Sequence, residues 1–201
     1  MKKKIIFIIV GVILLAVLGL GIFYFTKNNK TLTDGEKFAK EYETVNSNNL
    51  FVYRDIDEII SIMKAGTGVV YLGFPECPWC KAYVKYLNET AKEVGLDKIY
   101  YFNILQDRTN NTEKYQEIVK ILKDELQNDE EGNPRIFVPN ASFHIKGKLI
   151  GNDYETSLDT KDLDNPDLYW TDDEVKDLKE KLKIYMNDIL NEINKCTECN
   201  K

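Results

Sequence analysis

Apolar positions recur along the chain with two periods, and the alternation between them predicts the elements. Residues 5–25 come first, an apolar run of 21 residues with no charge and no strongly polar side chain. At about 1.5 Å per residue, a helix of that length spans a hydrocarbon core of roughly 30 Å. Residues 26–33 are polar and asparagine-rich and read as a tether. Asp34-Gly35-Glu36 opens a helical pattern through Phe38, Ala39 and Tyr42, which fades at 46–49. Residues 50–53 read as a short strand. Asp55 or Asp57 caps the next helix, whose apolar stripe is Ile56, Ile59, Ile60 and Met63. Gly66-Thr67-Gly68 breaks it, and Val69-Val70-Tyr71-Leu72-Gly73 reads as a buried strand.

Helical spacing returns with Tyr83, Val84, Leu87, Ala91 and Val94, and Gly95 stops it. Residues 99–104 form a second apolar strand. Residues 112–126 are helical by the spacing of Tyr115, Ile118, Val119, Leu122 and Leu126. A charged loop follows at 129–134. Then the period changes to two: Ala141, Phe143 and Ile145 alternate with Ser142, His144 and Lys146. The chain turns at Lys146-Gly147-Lys148 and returns through Leu149-Ile150. His144, on the polar set of that strand, is expected at the surface. Residues 152–169 read as a long, solvated polar connection, whose acids do not match the spacing of an EF-hand loop. Thr171-Asp172-Asp173-Glu174 caps a last helix with Val175, Leu178, Leu182, Tyr185, Ile189 and Ile193 on one face. Cys196 and Cys199 follow on a tail.

Strands joined by helices of this length need crossover connections. The closing strand pair is a hairpin, so the expectation is an α/β fold with a mixed central sheet and flanking helices. The expected organisation is a transmembrane anchor over 1–26, a tether and extra helix over 27–49, one domain over 50–195 and a cysteine-containing tail over 196–201.

Charge orients the anchor. Five of the 27 basic residues (Lys2, Lys3, Lys4, Lys27 and Lys30) lie in the first thirty positions, and all 33 acidic residues lie beyond them. Lys2 to Lys4 precede the apolar run, which favours a cytoplasmic N-terminus and an external body on a single-pass cell-membrane protein. A cleaved signal peptide is the rival reading; its apolar core is shorter and ends at an Ala-x-Ala-like site, whereas here only Gly19-Leu20-Gly21 offers small residues. The acidic body argues against a nucleic-acid partner. With 43% hydrophobic residues a core needs no disulfide staples, so the four cysteines require another explanation.

Cys77-Pro78-Trp79-Cys80 sits where the strand at 69–73 passes into the helix that follows. Three residues apart on a helix, two sulfurs share a face and can close and reopen a small disulfide ring. A helix N-terminus offers unpaired N–H groups and a positive dipole end, which stabilise a thiolate at Cys77. Trp79 either packs on a substrate or shields the disulfide. Glu76 lies next to Cys77. Tyr53, Tyr71, Tyr100 and Tyr101 read as core and rim.

Strand, Cys-Pro-Trp-Cys, helix, and a later proline leading into a hairpin together resemble the thioredoxin-like superfamily over about residues 50–194. The stretch from Tyr71 to Cys80 is similar to the membrane-anchored thioredoxin-like proteins of Gram-positive bacteria of the bacteriocin transport accessory type. The resemblance implies a thioredoxin-like fold, Cys77 as nucleophile and Cys80 as resolving thiol. It implies a cis-proline at Pro139, which with Val138, Trp79 and Pro78 contacts bound peptide. It also implies a buried aspartate six residues before the first cysteine, where this chain has Tyr71.

The expected function is thus a membrane-anchored, extracytoplasmic thiol–disulfide oxidoreductase acting on disulfides or thiols of secreted or cell-envelope proteins. The alternative is a non-catalytic accessory protein for maturation or export of secreted peptides. No metal or organic cofactor is expected beyond the Cys77–Cys80 disulfide. The expected partners are a protein substrate, a redox partner protein and the membrane through residues 5–25. Cys196 and Cys199 stay open between an accessory redox pair, a simple exposed disulfide and, with Cys77 and Cys80, a zinc site.

Overall fold

In a computed structural model, five strands make one mixed sheet. The structure describes residues 31–154, 161, 163 and 165–198. The expected anchor at 5–25 lies outside them, as does Cys199. The chain divides into two units, Met1–Thr33 and Asp34–Lys201, and the elements among the described residues belong to the second. Among the described residues no helix is long and apolar enough to cross a membrane.

In chain order the elements are α1 (Asp34–Glu41), β1 (Phe51–Tyr53), α2 (Ile56–Ala65), β2 (Gly68–Gly73), α3 (Pro78–Val94), β3 (Ile99–Asn103), α4 (Leu105–Thr109) and α5 (Glu113–Leu122). They continue with β4 (Gln127–Asn128), β5 (Pro134–Arg135), β6 (Asn140–Ile145), β7 (Lys148–Asp153), α6 (Pro166–Tyr169) and α7 (Asp172–Glu198). The sheet order is β1-β3-β2-β6-β7. β1, β3 and β2 run parallel, while β6 is antiparallel to β2 and β7 to β6. The expected α/β class and mixed sheet are therefore observed. β4 and β5 form a separate two-stranded hairpin across the loop expected at 129–134.

Local chemistry explains the boundaries. Asp55 accepts from Glu58 N at 2.8 Å while the Glu58 carboxylate accepts from Asp55 N at 3.0 Å, a capping box that starts α2. Thr112 caps α5 by accepting from Tyr115 N. Gly95, at φ 93°, ends α3 in the left-handed conformation that costs glycine least.

β2 is buried along its whole length because helices cover both faces of the sheet. On one face α3 packs against α7, whose Leu178, Leu182, Met186 and Ile189 are buried. Each such side chain is worth roughly 1.5–3 kcal/mol on leaving water. α2 covers the other face together with α5. The stripe expected on α7 is rotated: Met186 is buried, whereas Ile193 is exposed. A straight helix turns its face away from a stripe extrapolated over five turns. No glycine or proline follows Ile193, and α7 continues through Cys196 to Glu198 rather than giving way to a tail.

His144 corrects the sequence reading. It is fully buried, as are Asn140 and Ser142. α7 and α2 both pack against β6, so the two faces of the strand meet two helical layers rather than core and water. Phe143 contacts Tyr185 of α7, while His144 points to the backbone of Met63 in α2. The polar connection before Tyr169 is also only partly solvated. Pro166 and Tyr169 of α6 are buried, and Asp153 at the end of β7 is 1% exposed.

Candidate active site

β2 ends at Gly73, and Phe74-Pro75-Glu76 turns the chain so that Cys77 N donates to Phe74 O at 3.2 Å. Cys77 is the N-cap of α3, and Pro78 occupies the first turn, where its missing N–H leaves nothing unpaired. This local chemistry sets the two thiols in different surroundings. Cys77 is half-buried and Cys80 is fully buried, and both are free thiols.

The Cys77 sulfur accepts from Cys80 N at 3.3 Å. Contact with the Cys80 thiol, outweighing burial, and the N–H groups of Cys80 and Trp79 pull the Cys77 thiol down to about 7. The Arg108 guanidinium adds to the effect. Burial pushes the Cys80 thiol well up, and its contact with Cys77 adds to the rise. One thiol is therefore substantially ionised near neutral pH while its neighbour keeps its proton, the asymmetry that sequential thiol exchange uses.

Tyr71 lies beneath the pair. Its hydroxyl is buried, closes no hydrogen bond of standard geometry, and draws the Cys80 sulfur toward thiolate against the effect of burial. Gly73 leaves room for it: a Cβ there would stand 2.5 Å from the Tyr71 oxygen. The ring stacks between Tyr83 and Tyr101, at centroid distances of 6.1 and 5.8 Å. Tyr101 shares a buried hydroxyl pair with Tyr42 at 3.2 Å. Tyr71 and Tyr101 are thus core, and Tyr53 and Tyr100 are rim.

Val138 and Pro139 face the motif from the other side. The Val138 carbonyl oxygen lies 4.0 Å from the Cys77 sulfur, and the Val138–Pro139 peptide is cis. Pro78 and Glu76 are exposed. Trp79 is half-exposed, and its ring meets Tyr169 edge-on at 5.5 Å. Tyr169 in turn abuts Trp170, which leans on Tyr86 of α3. The sequence reading missed this buttress; the adjacent Tyr169 and Trp170 in an otherwise polar stretch were its signal. It also missed Arg108, whose guanidinium stands 4.9 Å from the centre of the Phe74 ring.

The structure thus brings Cys77, Cys80, Trp79, Pro78, Val138 and Pro139 together. It does not describe the side chain of Cys196, nor Cys199. Among the described residues no group of three or more His, Cys, Asp or Glu side chains converges as metal ligands would.

Fold and site define a class: an α/β protein with an unequal dithiol at the carboxyl end of a central strand. No family model matches the chain, and no curated protein or solved structure matches it.

Proposed function

We propose that the chain is a thioredoxin-like, membrane-anchored thiol–disulfide oxidoreductase whose body faces outward and acts on secreted or cell-envelope proteins. The sheet order β1-β3-β2-β6-β7, with the dithiol between β2 and α3, supports the thioredoxin-like reading. The apolar run at 5–25, led by three lysines, supports the anchor. An oxidising compartment is where such chemistry has protein substrates.

The observation that carries the function is the unequal pair: a half-buried Cys77 thiol held near 7 above a buried Cys80 thiol held high. The Cys77 thiolate attacks one sulfur of a partner disulfide. A Cys77–partner bond forms as the partner S–S bond breaks, and the released partner thiolate takes a proton. Cys80 gives up its proton and attacks the Cys77 sulfur, forming the Cys77–Cys80 disulfide and releasing the second partner thiol. Two electrons pass to the partner; run backward, the same steps oxidise a dithiol. The Cys77 thiol resembles a thioredoxin thiol at about 7 more than a strong oxidant's at about 3.5. The reduction potential of the Cys77–Cys80 pair sets the direction: near about −270 mV the chain is a reductant, near about −120 mV an oxidant.

Two assays on the full-length chain test this, reduction of a disulfide-linked peptide and oxidation of a dithiol peptide, each beside Cys77→Ser. Turnover that the substitution abolishes is expected. Turnover in neither direction would leave the non-catalytic accessory reading in its place.

A further inference from the structure

The chain has only three arginines among its 27 basic residues, and two of them, Arg108 and Arg135, line the same hollows, with Arg108 near enough to the motif to favour the Cys77 thiolate. They come from different elements, Arg108 from α4 and Arg135 from β5. They wall two adjoining hollows of about 1140 and 360 Å³, and the smaller one reaches Phe137, the residue before Val138. Neither guanidinium has a carboxylate partner among the described ion pairs. Arg108 is half-buried against the Phe74 ring. Burial and the nearby charge of Arg135 both weaken its hold on its own charge. The smaller hollow is also lined by Asp129, Glu130 and Glu131, and none of them pairs with either arginine among the described ion pairs. Asp129 is engaged by the backbone N–H groups of Glu131 and Asn133, and Glu130 and Glu131 are exposed. Two like charges on the wall of one hollow, one partly stripped of water, are stabilised when an anion enters between them. Arginine rather than lysine suits a planar, bidentate anion such as carboxylate.

We infer that Arg108 and Arg135 form a carboxylate-binding subsite that selects disulfide partners carrying an acidic group close to the reacting sulfur. This rests on the exchange chemistry proposed above and names its preferred substrates. A substrate chain passing Val138 with its cysteine at Cys77 brings a flanking carboxylate to the Phe137 end of the hollow. The subsite acts before the chemistry, by raising the encounter and residence of acidic partners.

The test compares two small disulfides in their first reaction with the reduced full-length chain. One is the dianionic 5,5′-dithiobis(2-nitrobenzoate), the other the neutral 2,2′-dithiodipyridine. In each, the Cys77 thiolate forms a mixed disulfide and releases one aromatic thiolate, read by absorbance. The ratio of the two rates cancels any change in the ionisation of Cys77. Arg135→Gln should lower the anionic-to-neutral ratio about three- to tenfold, as expected for losing a charge-assisted contact at a partly exposed site. Arg108→Gln should lower it too, and Lys98→Gln, beyond the far end of α3, should leave it alone. Raising the salt to about 0.5 M should narrow the wild-type preference. Oxidised glutathione and peptide disulfides with Glu or Gln beside the cysteine then separate the sources of the carboxylate. A Glu preference identifies an acidic polypeptide, and a preference confined to glutathione identifies a small thiol. A ratio that neither arginine substitution moves overturns the subsite while leaving the exchange chemistry standing. A chain unreactive toward both reagents overturns the exchange chemistry and the subsite with it.

Discussion

The backbone N–H of Cys80 donates to the Cys77 sulfur across 3.3 Å, so each turn of thiol chemistry at the N-cap is coupled to the residue one turn in. The contact with the Cys80 thiol does most to hold Cys77 near 7. Alkylation of Cys77 followed against pH by mass spectrometry should therefore show a midpoint near 7. Cys80→Ala keeps the N–H but removes the thiol, and should move the midpoint toward the ordinary value of about 8.5. A midpoint near that ordinary value in the parent protein would sink the account.

Tyr71 to Phe isolates the hydroxyl beneath Cys80, because the ring and its stacking on Tyr83 and Tyr101 are kept. A hydrogen bond to a charged group is worth about 1.5–3 kcal/mol, so losing the donor should slow attack by Cys80 on the mixed disulfide roughly tenfold or more. The mixed disulfide with Cys77 should accumulate during turnover, visible on non-reducing gels. Global stability should hardly fall, because the hydroxyl closes no hydrogen bond of standard geometry. Equal resolution rates in the two proteins would reduce Tyr71 to a packing residue.

What the sequence revealed and what it hid divide along physical lines. The motif's position, the Gly95 stop and the 140–153 hairpin rest on local signals: a helix N-cap, a left-handed residue, a period of two. His144 was misread because alternation reports which side chains share a face, not what covers that face. Only the packing of α2 and α7 against β6 shows that both faces are dry. Arg108 and Arg135 lie 27 positions apart in the numbering and in unrelated elements, so no local pattern joins them. The Trp79 buttress depends on α6, a four-residue helix too short to announce itself by periodicity.

His144 should make the fold acid-sensitive. Burial lowers it to about 4 from the usual 6.5. As pH falls below 6.5 the unfolded chain takes the proton first, so the stabilisation is complete above that pH and is lost between 6.5 and about 4. The full span corresponds to about 3 kcal/mol. Urea midpoints measured from pH 7.5 to 4 should drop more steeply for the parent than for His144→Gln. That variant keeps a partner for Ser142 without the titration. Parallel pH profiles would remove His144 as the cause.

Asp153 joins three elements: its carboxylate accepts from the Tyr83 hydroxyl of α3 at 2.5 Å and pairs with Lys181 of α7 at 2.8 Å. The two charges differ in their access to water, since the Asp153 side chain is fully buried and Lys181 is 37% exposed. Removing either one therefore has unequal consequences. Asp153→Asn leaves Lys181 free to turn toward solvent. Lys181→Met leaves a buried carboxylate without its cation, which costs about 3 kcal/mol, the lower end for such pairs because water reaches the lysine side. Lys181→Met should accordingly be the more destabilised of the two in urea denaturation, and adding Asp153→Asn to it should recover most of the loss. If the double variant is no more stable than Lys181→Met alone, the buried charge is not what the lysine compensates.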